Sequence, residues 1–398
     1  MPAPLQRRGP RPLLLHLTLG MLKSRGLDGL WNNSKPDSPN WNAAEAIEAA
    51  VHAALHAAQG SDASQAPPQS DADLIAGIAA YRRHPWRRDL PEPPHIWAEG
   101  GSRLLDYGLG PADGPVMLFV PSLINRAYVL DLMPKHSMLR WFASHGVRPL
   151  LLDWGWPGAI ERGFNLTDYV AGRLERAIAA VGRPVVLVGY CMGGNLAVAA
   201  AERRPDLVSA LALLATPWDF HAPDAGRARS VAACLPLLEP ALAFNGTMPI
   251  DALQTLFTWL DPFGVGDKYR AFGGWDPDSA RAALFVATED WLNDGVPLVA
   301  GVARACLGDW YGGNDPVHGR WRIAGLPVNP ATLRLPVFVA APGRDRIVPP
   351  ASARPLASAI PGAVLHEPAA GHVGMVSGAR AEPVLWQPLL SWARSLAL

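Results

Sequence analysis

A cysteine set among glycines is the clearest candidate for chemistry in this sequence. The apolar residues 185–188 are followed by Gly189-Tyr-Cys-Met-Gly-Gly194 and then by the alanine-rich residues 196–201. This pattern predicts a strand, a sharp turn and a helix, with the Cys191 sulfur directed out of the fold at the helix N-terminus. The glycines permit a turn that a Cβ atom would obstruct, and the helix dipole favours a thiolate. We therefore predict that Cys191 is a nucleophile rather than a small buried thiol.

Two further side chains could complete a set of nucleophile, base and acid, each just past a predicted strand. Residues 335–341 are apolar, and Asp345 follows them in a loop; residues 363–367 form another short apolar segment, and His372 follows in a glycine-flanked loop. Taken singly, Asp345 could cap a helix and His372 could be an ordinary loop histidine. The chain order of nucleophile, acid and histidine is that of the α/β-hydrolase fold. Order and placement together predict a catalytic triad of Cys191, His372 and Asp345.

Short apolar runs and helical patterns alternate around these positions. The predicted strands are residues 103–107, 116–120, 147–153, 185–188, 211–215, 335–341 and 363–367, and helical patterns occupy residues 137–145 and 166–181. Alternating buried strands and helices are typical of a doubly wound, mostly parallel sheet. We therefore predict an α/β protein with the α/β-hydrolase fold and a large cap insertion.

The sheet pattern divides the chain into three predicted regions. The hydrolase core, residues 96–222 and 329–398, is interrupted by residues 223–328, which carry Trp, Phe, Leu and Pro in helical and turn segments. We predict that this insertion is a cap or lid over a pocket for an apolar or acyl substrate, although its aromatic side chains can also form a core of their own. Residues 1–95 are predicted to be an N-terminal helical region with a flexible linker near residues 60–70.

The composition narrows the function classes. Lys+Arg and Asp+Glu both number 35, so no overall basic field attracts nucleic acid. Three cysteines, an odd number, argue against a disulfide framework and predict a reducing, cytoplasmic location. No run of about 18 apolar residues predicts a transmembrane segment, and the apolar residues 13–22 are too few to span a bilayer. Those residues form either an ordinary helix or a short amphipathic anchor for an apolar surface.

Several ordered motifs resemble those of the polyhydroxyalkanoate synthases, which include the poly-3-hydroxybutyrate synthases. They are Gly189-Tyr-Cys-Met-Gly-Gly194, Leu213-Leu-Ala-Thr-Pro217 and Pro121-Ser-Leu-Ile-Asn-Arg-Ala-Tyr-Val-Leu-Asp-Leu-Met-Pro134, the last followed by Ser137 and Arg140. The motifs Leu152-Asp-Trp-Gly-Trp-Pro157 and Gly371-His-Val-Gly-Met375 lean toward the short, two-component branch of that family. The resemblance extends from about Gly101 to the C-terminus.

This resemblance implies an acyltransferase. It would polymerise (R)-3-hydroxyacyl-coenzyme A into polyhydroxyalkanoate through an acyl group on Cys191, with release of coenzyme A. His372 would take the thiol proton, and Asp345 would hold the imidazole and stabilise its charged form. The resemblance implies no cofactor and no metal, because the coenzyme A thioester is itself the substrate.

The oxyanion that forms on the attacked carbonyl needs N–H donors. In this type of site one donor is the backbone N–H of the residue after the nucleophile, here Met192. We predict that the second donor is an N–H in the loop near Ser122 or Leu123. An apolar cap would keep water away from the acyl-enzyme.

Two alternatives remain open at this point. The chain could be a hydrolase on the same scaffold, either an acyl-coenzyme A thioesterase or an intracellular polyester depolymerase, or it could be a granule-surface protein without catalysis. The partners that the resemblance implies are hydroxyacyl-coenzyme A, the growing polyester chain or granule surface, and an accessory synthase subunit or a second copy in a homodimer. The expected location is cytoplasmic, at the surface of polyester granules. Polymer and free hydroxy acid are the products that separate synthase from hydrolase.

Overall fold

The fold is divided into two units that are discontinuous in sequence. A computed structural model describes residues 7–24, 69–108, 114–259 and 263–396 of the chain. One unit comprises Met1–Arg88 and Ile250–Asn293, and the other comprises Asp89–Pro249 and Asp294–Leu398. The second unit carries the main sheet and all three residues of the predicted triad.

All the strands of the described residues lie in the second unit. In chain order they are β1 His95–Glu99, β2 Ser102–Asp106, β3 Val116–Val120, β4 Arg148–Asp153, β5 Val185–Tyr190, β6 Val208–Leu214, β7 Thr247–Met248, β8 Leu298–Val299, β9 Arg322–Ile323, β10 Leu326–Pro327, β11 Val337–Ala340 and β12 Val364–His366. Among the described residues, β7 pairs with β8 and β9 with β10 in two small antiparallel ribbons. The other strands form one sheet in the order β1-β2-β4-β3-β5-β6-β11-β12.

The main sheet is mostly parallel, as predicted. Neighbouring strands from β4 through β12 run parallel, whereas β1 and β2 form an antiparallel edge. Strand β1 was not predicted; the other strands of this sheet overlap the predicted segments. All residues of β3 and β5 are buried, because central parallel strands are covered on both faces, and their sequences are accordingly continuous apolar runs.

Helices of the second unit cover the sheet and connect its strands. The α-helices are Met138–Ser144, Glu175–Ala179, Met192–Arg203, Ala225–Ala232, Leu235–Asn245, Ala300–Arg304, Pro350–Ala359, Gly374–Ser377 and Gln387–Ser395. Wider π-helical turns span Asp168–Leu174, Ala305–Gly312 and Glu382–Trp386, and short 3₁₀ turns span Ala127–Leu130, Pro134–His136, Glu161–Gly163 and Pro330–Thr332. The helical patterns predicted in residues 137–145 and 166–181 are present.

The first unit is helical in its described residues. Its helices are Leu13–Ser24, Gln69–Arg83, Ile250–Thr258, Gly264–Gly273 and Ala280–Asn293. Helices Gln69–Arg83, Gly264–Gly273 and Ala280–Asn293 share an apolar core, against which Leu13 and Leu17 pack; its residues are Leu74, Ile78, Tyr81, Tyr269, Phe272, Ala282 and Val286. Residues 13–22 therefore lie in a helix that packs in this unit, and their use as a surface anchor stays a prediction. Within the described residues, no helix combines the length and the apolar character that a membrane crossing requires.

The boundaries of the units differ from the three regions expected from the sequence. Residues 250–293 of the predicted cap belong with the N-terminal unit, whereas residues 223–249 and 294–328 belong with the sheet. The part of the predicted linker that ends at residue 68 lies outside the described residues, and a helix begins at Gln69. The function of residues 223–328 as a lid stays a prediction.

Candidate active site

Cys191 lies at the sharp turn between β5 and the helix Met192–Arg203. Its backbone has φ 55° and ψ −132°, a conformation that non-glycine residues adopt only at an energetic cost. Cys191 N–H donates to the Leu214 carbonyl over 2.8 Å, and Gly194 N–H donates to the Cys191 carbonyl over 2.9 Å. The predicted strand, turn and helix are therefore present, and the thiol stands at the helix N-terminus.

Two glycines after the cysteine are required by close packing. A Cβ atom on Gly193 would overlap the carbonyl oxygens of Val120 and Pro121, and a Cβ atom on Gly194 would overlap the Thr216 hydroxyl. The start of the helix therefore lies against the chain that leaves β3 and the chain that leaves β6. This contact explains the need for glycine at both positions.

Asp345 and His372 lie in the loops predicted for them and contact each other directly. The distance between His372 Nδ1 and Asp345 Oδ2 is 2.7 Å. The other carboxylate oxygen, Oδ1, accepts hydrogen bonds from the backbone N–H groups of Ile347 and Val348, each at 2.8 Å. The side chains of His372 and Asp345 are only 7% and 0% exposed. Asp345 is thus held by its own loop in the position that fixes the imidazole.

The contact with the Asp345 carboxylate occupies His372 Nδ1 and leaves the other ring nitrogen, Nε2, for a second partner. Burial alone lowers the pKa of His372. The neighbouring Cys191 and Asp345 side chains, Asp345 also through its hydrogen bond, outweigh burial and raise the pKa of His372 to about 10. A pKa raised in this direction favours the protonated ring, and an imidazolium is the partner that favours a reactive thiolate.

Tyr190, the last residue of β5, supports the loop that carries His372. Its hydroxyl donates to the His372 carbonyl over 3.3 Å, and the two rings lie 5.0 Å apart at their centroids. Tyr190 is 3% exposed, so this contact is shielded from solvent. The sequence places Tyr190 beside the nucleophile but gives no sign of its contact with His372.

A second set of side chains near the thiol comes from the π-helical turn Ala305–Gly312. Burial raises the pKa of the Cys306 thiol, and the charges of Asp309 and Cys191 raise it further. Burial and the charges of Cys306 and Cys191 also raise the pKa of the Tyr311 hydroxyl. Both groups are therefore protonated at neutral pH. Sequence reasoning missed this turn, because no motif links residues so distant in the chain.

The segment that follows β6 ties this turn to the sheet. The Asn314 Oδ1 atom accepts a hydrogen bond from Phe220 N–H over 2.9 Å, and His221 Nε2 lies 2.8 Å from the Tyr311 carbonyl. Asp219 Oδ1 accepts from the Asn314 amide over 2.9 Å. These bonds hold residues 305–314 next to the chain that leaves the nucleophile's neighbouring strand.

All three cysteines are free thiols. Cys234 is 8% exposed, its sulfur donates to the Ser230 carbonyl over 3.6 Å, and burial raises its pKa. Cys191 is therefore the cysteine whose surroundings suit a nucleophile. In the part of the chain that the structure describes, no group of three or more His, Cys, Asp or Glu side chains could hold a metal ion.

The predicted oxyanion donors lie on the two segments that meet at the turn. Met192 is the first residue of its helix, where N–H groups have no carbonyl partner within the helix. Ser122 and Leu123 follow Pro121, whose carbonyl closely approaches Gly193. The structure thus brings the two segments together. The function of Met192, Ser122 and Leu123 as donors stays a prediction.

Several curated proteins that resemble this chain carry the description "Poly(3-hydroxyalkanoate) polymerase subunit PhaC". The relative from Haloferax mediterranei is 28% identical over 311 residues, which cover 75% of this chain and 62% of that protein. The relatives from Allochromatium vinosum and Thiocystis violacea are 27% and 26% identical; the matches cover 69% and 72% of this chain, and 79% and 82% of those proteins. This chain thus spans less than two thirds of the Haloferax protein. The relatives confirm the resemblance to polyhydroxyalkanoate synthases.

The family description "Alpha/beta hydrolase family" matches residues 117–384. The matched region begins in β3, ends beyond His372 and includes Cys191 and Asp345. It covers more than half of the chain and most of the sheet described above. This chain therefore belongs to the alpha/beta hydrolase family.

Proposed function

We propose that this chain is an acyltransferase that polymerises (R)-3-hydroxyacyl-coenzyme A into polyhydroxyalkanoate, the activity that its relatives' names describe for them. The observation that carries the proposal is the buried contact of His372 with Asp345, beside the Cys191 thiol. It supplies a nucleophile, a base and an orienting carboxylate. A thiol suits a thioester substrate, because exchange of one thioester for another is nearly balanced in free energy.

In the first half-reaction the Cys191 thiolate attacks the carbonyl carbon of the hydroxyacyl thioester. The resulting oxyanion is bound by the N–H of Met192 and by an N–H at Ser122 or Leu123. As the carbon–sulfur bond to coenzyme A breaks, the His372 imidazolium donates its proton to the leaving thiolate. The products are free coenzyme A and a hydroxyacyl thioester on Cys191.

In the second half-reaction a hydroxyl group attacks the acyl-enzyme. The hydroxyl belongs to another hydroxyacyl group or to the end of a growing chain. His372, now neutral, takes its proton, the new ester bond forms, and the Cys191 thiolate leaves. Asp345 keeps the imidazole oriented and stabilises its positive charge in both half-reactions. No cofactor or metal is needed for either step.

Protonated side chains near the Cys191 thiol support transfer of the acyl group to an alcohol rather than to a second nucleophile or to water. Cys306 and Tyr311 are kept protonated by burial, so neither competes with Cys191 as a nucleophile or activates water as a base. A protonated Cys306 therefore supports a mechanism in which Cys191 alone carries the acyl group, rather than one in which the acyl group passes between two thiols. It also supports an acyl-enzyme that persists until an alcohol attacks it.

The partners that we propose are an accessory subunit or a second copy of this chain, and the surface of a polyester granule. The relatives are described as subunits of a polymerase, which supports a requirement for a further chain. A granule exposes the product ends that the second half-reaction needs. We propose a cytoplasmic location for this reason.

Purified protein incubated with 3-hydroxybutyryl-coenzyme A tests the proposal. Free coenzyme A, insoluble polyester and free 3-hydroxybutyrate are followed together, with and without an oligomeric hydroxybutyrate primer. Coenzyme A release matched by polyester is the expected result. Release matched by free hydroxy acid would establish a hydrolase instead. If coenzyme A is not released under either condition, the proposed activity of this chain is wrong.

A further inference from the structure

A buried tryptophan supports the loop that carries the second predicted oxyanion donor. Trp154, the first residue after β4, is 8% exposed. Its indole N–H donates to the Pro121 carbonyl over 3.0 Å, and this hydrogen bond is buried. The ring also meets Tyr169 edge to face, with centroids 5.4 Å apart and an interplanar angle of 90°. The indole is therefore held in one orientation, with its N–H aimed at the loop.

The backbone of Trp154 is fixed from the opposite side. The Ser102 hydroxyl donates to the Trp154 carbonyl over 3.0 Å, and Ser102 is 1% exposed. Arg173 Nη1 lies 3.4 Å from the Ser102 oxygen, and Arg173 also donates to Glu161 over 2.9 Å. A continuous buried polar chain therefore runs from an arginine–glutamate pair through Ser102 and Trp154 to the Pro121 carbonyl.

The Pro121 carbonyl is confined between the indole and the start of the nucleophile helix. A Cβ on Gly193 would overlap it, so the helix leaves no room for the carbonyl to move on that side. The Pro121 carbonyl and the Ser122 N–H belong to the same peptide group. A trans peptide is planar, and its C=O and N–H point in opposite directions. Anchoring the carbonyl oxygen on Trp154 therefore fixes the direction of the Ser122 N–H.

We propose that Trp154 is a positioning residue that aims the Ser122 N–H at the oxyanion formed on the Cys191 acyl group. The hydrogen bond to the Pro121 carbonyl also polarises the peptide group, which makes its N–H a better donor. The inference rests on the proposed acyl transfer at Cys191, and it selects Ser122 over Leu123 as the second donor. It assigns a function to the first tryptophan of the motif Leu152-Asp-Trp-Gly-Trp-Pro157.

Trp154→Phe keeps an aromatic ring against Tyr169 but removes the indole N–H. Trp156→Phe is the matched control, because Trp156 lies two residues away and is 50% exposed. Two reactions of Cys191 are compared in each variant. Acylation by 4-nitrophenyl acetate or 3-hydroxybutyryl-coenzyme A passes through an oxyanion, whereas alkylation by iodoacetamide is a direct displacement that forms none. Mass spectrometry of the Cys191 peptide assigns both products to this thiol.

We expect Trp154→Phe to slow acylation about tenfold or more, since loss of a whole oxyanion donor costs on the order of 10²-fold. The rate of alkylation by iodoacetamide should stay within about twofold of wild type, because the thiolate is unchanged. The KM for 3-hydroxybutyryl-coenzyme A should also stay within about twofold, because the substrate contacts are unchanged. Trp156→Phe should leave both rates at the wild-type value. Ser102→Ala, which frees the Trp154 carbonyl and removes the Ser102 contact with Arg173 but keeps the indole N–H, should slow acylation by a smaller factor and leave alkylation unchanged.

Equal losses in acylation and alkylation would overturn the inference, because a general distortion of the site lowers both rates. An unchanged acylation rate would overturn it as well. If Trp154→Phe does not fold, the acylation-to-alkylation ratio of Ser102→Ala decides the question. A wild type that is acylated by 4-nitrophenyl acetate but releases no coenzyme A from 3-hydroxybutyryl-coenzyme A would refute the proposed function alone. A wild type that reacts with neither acyl donor would refute both.

Discussion

At the scale of single residues, substitutions of Cys191 can distinguish the energetic cost of its backbone conformation from the reactivity of its thiol. A residue with a Cβ at φ 55° and ψ −132° costs on the order of 1–3 kcal/mol. The strain comes from the Cβ atom rather than from the sulfur. Alanine therefore keeps the strain and removes the thiol, whereas glycine removes both.

Cys191→Ala should lower coenzyme A release by about 10³-fold or more, because loss of a covalent nucleophile has effects of that size. Cys191→Gly should be equally inactive but more stable than Cys191→Ala by about 1 kcal/mol, which urea denaturation measures. Cys234→Ala and Cys306→Ala are the controls, and both should keep most of the activity. A Cys191→Ala protein that retains more than about a tenth of wild-type turnover would exclude the covalent mechanism.

Asp345→Asn tests the electrostatics of the imidazole. The Asp345 charge and hydrogen bond are among the causes that raise the pKa of His372 to about 10. Their loss lowers this pKa, so the imidazolium disappears at a lower pH than in wild type. The alkaline limb of the pH profile of kcat/KM should move to lower pH. The rate should fall by up to about 10³-fold, and less if the thiol needs little activation.

Asp206→Asn is the matched control for this carboxylate exchange, since Asp206 is exposed and pairs with Arg204 rather than with a histidine. It should leave the pH profile unchanged. An Asp345→Asn protein with a normal profile and a normal rate would remove Asp345 from the mechanism. The next carboxylate to test would then be Asp153, which lies 3.3 Å from Arg103 at the end of β4.

The residues that the sequence could predict are those with a local signature. Cys191 is set among glycines, and Asp345 and His372 each follow an apolar strand, so composition and order were enough to propose them. Tyr190, Trp154 and their contacts are different. Each of these side chains matters through the backbone carbonyl to which it donates a hydrogen bond. Tyr190 donates to the His372 carbonyl, and Trp154 donates to the Pro121 carbonyl. Such pairings depend on tertiary packing, which no local pattern records.

At the scale of secondary-structure elements, the helix Met192–Arg203 has opposite electrostatics at its two ends. Its N-terminus favours the negative charge of a thiolate, and its C-terminus disfavours negative charge. Glu202 lies in the last turn. Burial raises the pKa of Glu202 to about 7, although the Asn329 N–H, which donates to its carboxylate over 2.9 Å, acts in the opposite direction. This carboxyl therefore opposes folding when it is ionised.

Glu202→Gln should stabilise the protein at alkaline pH. A carboxyl whose folded pKa exceeds its unfolded value of 4.5 binds more protons when folded, so stability falls as pH rises from about 4.5 to about 7. Glutamine cannot ionise and keeps an oxygen for the Asn329 N–H. Urea unfolding at pH 8 should show a gain on the order of 1–2 kcal/mol after allowance for solvent screening, and a smaller gain at pH 5.

Glu239→Gln provides the contrasting control, because Arg304 holds the pKa of Glu239 below its usual value through a hydrogen bond. That variant should gain nothing at pH 8. A Glu202→Gln protein whose stability gain is the same at pH 5 and pH 8 would show that Glu202 does not titrate in this range. The gain would then reflect packing alone.

The order and direction of the central strands were predictable, because buried parallel strands are continuous apolar runs with characteristic lengths. The edge strand β1 was not predicted. Its residues are mostly exposed or half-buried, so it lacks the apolar signal of the others. The π-helical turn Ala305–Gly312 was not connected with the site, because its position near Cys191 follows from contacts made by Phe220 and Asn314.

At the scale of the whole molecule, the first unit joins segments that are far apart in sequence. Arg7 connects them. Its guanidinium donates to Asp290 over 2.7 Å and to the carbonyls of His84 and Trp86, and it lies 5.6 Å from the centre of the Tyr81 ring. This division was not predicted, since residues 250–293 were expected to belong to a cap. Contacts between distant segments decide unit boundaries, and a single sequence does not reveal them.

Arg7→Ala should loosen the first unit selectively, because the Arg7 side chain is only 5% exposed and one residue serves several segments. Loss of a buried, multiply bonded arginine leaves Asp290 and two backbone carbonyls without this donor. We expect local opening to become easier by about 2 kcal/mol, and therefore amide exchange in residues 69–83 and 280–293 to accelerate by more than about tenfold. Hydrogen-exchange mass spectrometry reports both segments in one experiment.

Arg8→Ala is the control for this prediction, because Arg8 is exposed. Arg8 accepts the hydrogen bond from Arg82 through its backbone carbonyl, which alanine retains. Equal exchange in wild type, Arg7→Ala and Arg8→Ala would mean that the helices of this unit hold together without Arg7.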